Sequence, residues 1–412
     1  MKFQHKTLEN GLDIVAEVNP DAYSLAVAFF VKTGARDESV ELAGVSHFLE
    51  HMMFKGTPRR TAEDVNRELD ELGAQSNAYT SEEQTVYYAV VLPELQNPVV
   101  DLLADIMRPS LRQDDFDTEK QVILEEILKY EDQPPFGGHE KSMVAFYGDH
   151  PLGKSVLGTT ESVSAMTREQ MLKYFEYRYS PGNLTLVAAG NVDFGALVEQ
   201  AQELCGGWEP RENSRVITPV EPRANFNLMT KSTSAQQYLI QLMEGPAAND
   251  ADRYAARLLA GILGDDSGSR YYWELVDPGI AEFASLETYE FQGTGLFMNY
   301  ACCAPEEAPQ VLDVMEAEIA KAIREGVTAR ELELVKNKVC SHTVLRSERP
   351  SGRLFSVGSN WVQRGAMRTV AESVKAYQNV TLDDIHAVLE TYRFHLASTT
   401  TVGPLTTFPG RE

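Results

Sequence analysis

Apolar positions in the N-terminal part of the chain alternate between two spacings. Runs rich in β-branched and aromatic residues, GLDIVAEV from Gly11, SLAVAFFVKTG from Ser24 and TVYYAVVL from Thr85, predict strands. LAGVSHFLEHMMF from Leu42 and TAEDVNRELDELG from Thr61 space their apolar residues three and four apart and predict helices. Two longer helices follow, PELQNPVVDLLADIM from Pro93 and DDFDTEKQVILEEILKYED from Asp114. The Asp/Thr-rich start of the second, and Pro134 and Pro135 beyond its end, are the punctuation expected of a helix. TREQMLKYFEYRYSPGNLTLVAAGN from Thr167 then reads as a helix, a turn at Ser180 to Gly182 and a strand.

This last unit recurs. ESVSAMTREQMLKYFEYRYSPGNLTLVAAG from Glu161 is echoed by ESVKAYQNVTLDDIHAVLETYRFHLASTTTVG from Glu372, and PELQNPVVDLLADI by PEEAPQVLDVMEAEI from Pro305. The order of elements agrees, which predicts two homologous α/β halves. A first half over 1–207 and a second over 226–412 are expected, joined by a linker at 208–225 within the Pro-, Gly- and charge-rich stretch Gly206 to Asn225. The short segment between GLDIVAEV and SLAVAFFV favours neighbouring antiparallel strands. The fold class expected is therefore α+β, each half a mainly antiparallel sheet with helices packed on one face.

Composition narrows the picture. A chain of 412 residues with 43% hydrophobic content has enough apolar material for at least two cores. A formal charge of −24 without a Lys/Arg cluster argues against nucleic acid or an anionic membrane as partner. It accommodates a neutral or basic substrate more readily, and equally serves solubility. Cys205, Cys302, Cys303 and Cys340 form no C-x-x-C pair, and Cys302 and Cys303 sit in the strand-like NYACCAP, so buried free thiols are expected. The start lacks an uninterrupted apolar run, and no stretch of eighteen apolar residues occurs, which reads as a soluble cytoplasmic protein.

Candidate chemistry lies in SHFLEHMMFKGT, from Ser46. On a helix, His47 and His51 share a face one turn apart, with Glu50 beside them. Two neutral imidazoles so placed can hold one Zn²⁺, with a carboxylate in reach of water at the metal; a pair of surface or capped histidines fits the same short pattern. Catalytic zinc needs a third protein ligand. The helix TEKQVILEEILKYE offers Glu119 and Glu126, two turns apart on nearly one face, with Val122, Ile123 and Ile127 as its core-facing stripe. Glu125 is an adjacent competitor pointing elsewhere, and acidic residues on helices are commonly solvated.

HFLEHMMFKGT, with EKQVILEEI about 75 residues on, resembles the inverted-zincin peptidases of the pitrilysin/insulysin and mitochondrial processing peptidase family, M16. TLENGLDIV, GARDES and LGAQSNAYTSEEQTVYYA extend the likeness along the chain. The resemblance implies that His47, His51 and Glu126 bind zinc, one ion per chain. It makes Glu50 the general base and Glu119 the carboxylate supporting a ligand. Asn77, Ala78, Tyr79 and Thr80 would form an edge strand that pairs with an extended peptide. The activity implied is zinc-dependent endopeptidase action on unfolded peptides in an enclosed chamber, with a homodimer or a heterodimer with a related chain closing it. The second half lacks the ligands: VILEE is matched by LVKNK, Leu334 to Lys338, and no histidine lies between His150 and His342. The resemblance also implies an Arg and a Tyr that help hold the substrate carbonyl; here ELVDPGIAEFASL has Val276 where the Arg is expected and Glu282 near the Tyr position. Either a partner chain supplies the pair or the nearby Arg270, Tyr271 or Tyr272 substitutes, although structural roles are the expectation for those three. A non-catalytic peptide-binding subunit of a processing-peptidase-like complex, and a metal hydrolase acting on another substrate class, are the alternatives.

Overall fold

The computed structural model describes residues 2–411. In chain order its elements are β1 (Lys2–Thr7), β2 (Asp13–Val18), β3 (Leu25–Val31), α1 (Val45–Met53), α2 (Ala62–Glu71), β4 (Gln75–Thr80), β5 (Thr85–Val91), α3 (Gln96–Ile106), α4 (Gln113–Asp132) and α5 (Gly138–Tyr147). They continue with α6 (Thr160–Ala165), α7 (Arg168–Arg178), β6 (Leu184–Gly190), α8 (Phe194–Cys205), β7 (Asn225–Thr230), β8 (Gln237–Gly245), α9 (Arg253–Gly264), β9 (Phe283–Phe291) and β10 (Thr294–Cys303). The last are α10 (Ala308–Glu325), α11 (Ala329–Ser347), α12 (Pro350–Arg364), α13 (Val370–Asn379), α14 (Leu382–Thr391) and β11 (Ser398–Gly403).

The strands form a six-stranded sheet of order β1-β2-β6-β3-β5-β4 and a five-stranded sheet of order β7-β11-β8-β10-β9. With β1 set aside the two orders correspond strand for strand. The directions correspond too: β2 and β6 run parallel, as do β7 and β11, and the other pairs are antiparallel. The echo read at Glu161 and Glu372 thus marks equivalent elements. In both places threonines cap the helices, Thr159 and Thr167 on α6 and α7, Thr369 and Thr381 on α13 and α14, by accepting a backbone N–H three residues on.

Two expectations need correction. GLDIVAEV and SLAVAFFV are not neighbours, because β6 lies between β2 and β3. Every residue of β3 and β6 is buried, and a strand apolar on both faces belongs in the middle of a sheet. Val122 is not part of the core stripe of α4: it is exposed, while Phe116, Ile123 and Ile127 are buried. At about 100° per residue, Val122 falls beyond the face that carries Glu119 and Glu126, on the side away from Ile123.

The chain forms two compact units. One comprises Met1–Lys129, Lys154–Val216 and Leu345–Arg368, the other Tyr130–Gly153, Ile217–Val344 and Thr369–Glu412. They differ from a contiguous division at 208–225 by two exchanged segments. In the first unit, Leu25, Val27, Phe29 and Val31 of β3 pack with α1, α3 and α8 on one side of the sheet. Ala26, Ala28 and Phe30 face the opposite side, where Leu354 and Val357 of α12 cover them. In the second unit, Leu239 and Met243 of β8 join the core made with α9, α10 and α14, and Ile240 and Leu242 meet Met143 and Phe146 of α5. Each sheet therefore has its own helices on one face and a helix from the other half of the sequence on the second. Exchange adds a layer that period-two strands with both faces apolar require.

Residues 209–224 carry no helix or strand, yet Arg215 is held at 2.6 Å by Asp37 with its side chain buried. All four cysteines are free thiols; Cys205, Cys302 and Cys303 are buried and Cys340 is half-buried. No helix among the described residues is long and apolar enough to cross a membrane.

Candidate metal centre

α1 brings His47, Glu50 and His51 to one face, as the one-turn spacing dictates. Its other face is anchored by Val45, Phe48, Leu49, Met52 and Met53, all buried in the first core. α4 lies opposite, fixed by Ile123, Ile127 and the stacked pair Phe116–Phe48 at 4.8 Å between ring centroids. Anchoring both helices through their apolar stripes leaves their polar faces opposed.

Across that space Glu126 Oε2 lies 3.8 Å from His47 Nε2 and 3.6 Å from His51 Nε2. One donor atom from each of the three lies within 4.8 Å of the others, the only such group of three or more His, Cys, Asp or Glu residues among the described residues. Donors bound to one tetrahedral ion at about 2.0–2.1 Å stand about 3.4 Å apart, so two nitrogens and a carboxylate oxygen at these separations suit zinc. Glu125 is exposed and on another face, which leaves Glu126 as the third donor.

The charge state of His47 suits the same reading. Burial, with the neighbouring His51, pushes His47 down to about 3, so its imidazole is neutral and ready to donate a lone pair. Burial would push His51 down as well, but its hydrogen bond to Glu119 and the charges of Glu126, Glu119 and Glu50 outweigh it and hold His51 above its ordinary value. The Glu119 bond, 2.9 Å to Nδ1, orients the ring and turns Nε2 toward Glu126. Glu119 is itself buried; its bonds to His51 and to Lys55, 2.6 Å from its Oε2, overcome burial and keep it below the usual carboxylate range.

Glu50 is raised above an ordinary carboxylate by burial, against the opposing hydrogen bond from Thr80. Thr80 Oγ1 donates that bond at 2.6 Å. Neither this contact nor Lys55 was anticipated from the sequence, although Lys55, four residues after His51 on a helix ending, is within reach of the same side.

β4 lies at the edge of its sheet, bonded among the described residues to β5 alone. Asn77 is exposed, and its side-chain oxygen accepts the backbone N–H of Ala78 at 2.9 Å. Tyr79 packs on the side of the sheet covered by α12, and its hydroxyl accepts from Gln84 at 3.2 Å. Ala78 packs against the core that contains α1.

Two of the residues offered as carbonyl-holding substitutes, Tyr271 and Arg270, are engaged within the second unit. Tyr271 is fully buried in the second unit's core and gives its hydroxyl to Asn299 at 3.0 Å. Arg270 is bonded to Glu331 at 2.8 Å and lies 3.5 Å from Glu318. These contacts agree with structural roles for both, because a buried hydroxyl or guanidinium that is already paired costs free energy to withdraw. Tyr272 is half-buried beside Trp273. Val276 packs on the same core, and Glu282 is exposed and accepts a bond from Gln236.

Residues 13–160 match the family described as Insulinase (Peptidase family M16), and residues 165–339 match Peptidase M16 inactive domain. The His47, His51 and Glu126 group falls wholly inside the first match. An uncharacterized zinc protease of Mycobacterium tuberculosis is 33% identical over 389 residues, 93% of this chain and 89% of the relative. Another from Rickettsia felis is 31% identical over 98% of both chains. Among solved structures, a protease from Helicobacter pylori aligns with a TM-score of 0.92 at 22% identity, over 97% of this chain and 99% of that one. A peptidase M16 inactive domain structure from Pseudomonas fluorescens also gives 0.92, at 17% identity over the whole of both chains.

Proposed function

The chain belongs to the M16 (insulinase) peptidase family, and from that premise we propose that it is a zinc-dependent endopeptidase hydrolysing extended, unfolded peptides. The observation that carries the reading is the convergence of His47, His51 and Glu126 donor atoms within 4.8 Å, with Glu50 on the same helix face. One zinc ion per chain, held by these three side chains, would supply Lewis acidity toward the scissile carbonyl and the attacking water.

The remaining work falls to the protein. Glu50 accepts the proton of the attacking water and delivers it to the leaving amine. Burial, by raising its proton affinity, suits it to that task. Glu119 fixes the His51 ring, and Lys55 balances the charge of Glu119. The free edge of β4 at Asn77, Ala78, Tyr79 and Thr80 receives the peptide by main-chain pairing, which makes little demand on substrate sequence. A second M16-type chain, a copy or a relative, closes the chamber and supplies the carbonyl-holding groups that Val276 and Glu282 do not.

Glu50→Gln tests the reading, since it keeps side-chain volume but removes the base. Cleavage of a mixed peptide library should fall by at least about 10²-fold while zinc content stays unchanged. Cleavage at the wild-type rate would remove Glu50 from its role. A wild-type protein that holds zinc but cleaves no peptide, alone or with a related chain, would return the reading to a non-catalytic peptide-binding subunit.

A further inference from the structure

β4 offers its backbone to a peptide, and it also lends a side chain to the general base. Thr80 ends the strand, and its Oγ1 donates 2.6 Å to Glu50 Oε2. A threonine hydroxyl has one proton to give. Its neighbour Thr85 Oγ1, 3.5 Å away, directs its own proton to the Thr33 carbonyl at 3.0 Å. Of the two acceptors open to the Thr80 proton, Glu50 at 2.6 Å is far nearer than Thr85 at 3.5 Å and takes it. Glu50 Oε1 has no protein hydrogen bond among the described residues. One oxygen is pinned and the other is left for chemistry.

We propose that Thr80 is a positioning residue for Glu50, fixing Oε2 so that Oε1 is presented to the attacking water. This rests on the peptidase reading above, and it separates two uses of one residue. The main chain of Thr80 belongs to the substrate-pairing edge, whereas its side chain belongs to the base.

The surrounding structure is built to hold both ends of this bond. Gly34 approaches the β4–β5 turn so closely that a Cβ there would lie 2.1 Å from the Ser81 carbonyl oxygen, a separation no side chain permits. Ala35 N–H then donates to Ser81 O at 3.2 Å and Arg36 N–H to Glu82 O at 2.8 Å. The Arg36 guanidinium pairs with buried Glu83 at 2.7 Å. Two residues on, the buried Glu38 carboxylate accepts the N–H groups of Gly44 and Ser46, each at 2.7 Å, at the start of α1. The GARDES stretch, Gly34 to Ser39 with Glu38 included, therefore clamps the turn that carries Thr80 and the helix that carries Glu50. Arg215 braces the clamp by reaching Asp37 at 2.6 Å. A donor and an acceptor tied to one rigid segment keep their distance without paying side-chain entropy anew in each turnover.

The experiment compares steady-state peptide cleavage, zinc content and thermal midpoint for wild type, Thr80→Val, Thr80→Ser and Glu50→Gln. Valine keeps the branched shape and strand propensity but has no proton to donate. Thr80→Val should retain zinc and a near wild-type KM while kcat falls about ten- to a hundredfold, the size expected when a hydrogen bond to a charged group is lost. Thr80→Ser should restore most of kcat. Should the valine variant fail to fold, Thr80→Ala carries the same expectation. Unchanged kcat, a loss confined to KM, or failure of serine to restore kcat would each overturn the proposal. An active Glu50→Gln would instead sink the general-base reading, whatever Thr80 does, so the two failures are distinguishable.

Discussion

His51 Nδ1 lies 2.9 Å from Glu119 Oε1, and this one contact decides which ring nitrogen is left for a metal. With Nδ1–H given to the carboxylate, Nε2 carries the lone pair and faces Glu126. Glu119→Gln should therefore weaken zinc binding by roughly 10- to 100-fold without abolishing it. Glu126→Gln should empty the site, and Glu125→Gln, which alters an exposed carboxylate, should leave zinc untouched. Competition with a metal chelator, read as bound zinc per chain, checks the order. An emptied site in Glu125→Gln with zinc retained in Glu126→Gln would reverse the assignment of ligands on α4.

Glu38 gives stability a pH dependence of known sign. Burial pushes its carboxyl up to about 8, against the hydrogen bonds from Ser46 and Gly44 that favour the charged form. A folded-state value above the unfolded 4.5 means the folded state holds the proton more tightly. Its contribution is present in full below the unfolded value and is lost as pH rises toward about 8. Glu38→Gln, which mimics the protonated acid at all pH, should gain on wild type in thermal midpoint as pH rises through that range. A difference between the two that does not change with pH would show that Glu38 stays ionised in the fold.

Gly358 of α12 faces the ring of Phe30 on β3, and a Cβ there would come within 2.2 Å of it. Phe30 is fully buried and has no room to retreat. Gly358→Ala should destabilise the first unit by about 1–3 kcal/mol, the usual cost of overpacking a core, despite alanine's better helix propensity. Chemical denaturation reads this directly, and a stabilised variant would refute the packing of α12 on this sheet.

The proposed two-chain chamber rests on the second half's own residues. Val276 stands where the Arg is expected and Glu282 near the expected Tyr, while Arg270 and Tyr271 are engaged with Glu331 and Asn299. Sedimentation at micromolar concentration should show a dimer, or else a monomer nearly inactive until a related chain is added. A monomer cleaving peptides at full rate with no concentration dependence would remove the two-chain chamber.

Much of this site was legible in the order of residues. His47, Glu50 and His51 share a helix face by spacing alone, and Glu126 differs from Glu125 by a rotation of about 100° that the period of α4 predicts. The same period misled at Val122, which is apolar yet exposed, because a stripe one residue too wide still looks periodic. Thr80 gave no sign of its bond to Glu50: thirty residues separate them, and a threonine at the end of a strand is ordinary.

The sequence by itself determined the kinds of donor, their faces on α1 and α4, and the doubling of one α/β pattern, because these depend on periods of two and 3.6 residues that are local. Only the tertiary structure decided that β6 enters between β2 and β3, that α5 and α12 cover the sheets of the opposite halves, and that Tyr271 is buried against Asn299. Periodicity shows that an apolar face exists, but not which distant face will cover it. That choice is settled by packing and chain closure over the whole molecule, where a face such as Ala26, Ala28 and Phe30 accepts the helix whose shape fits it.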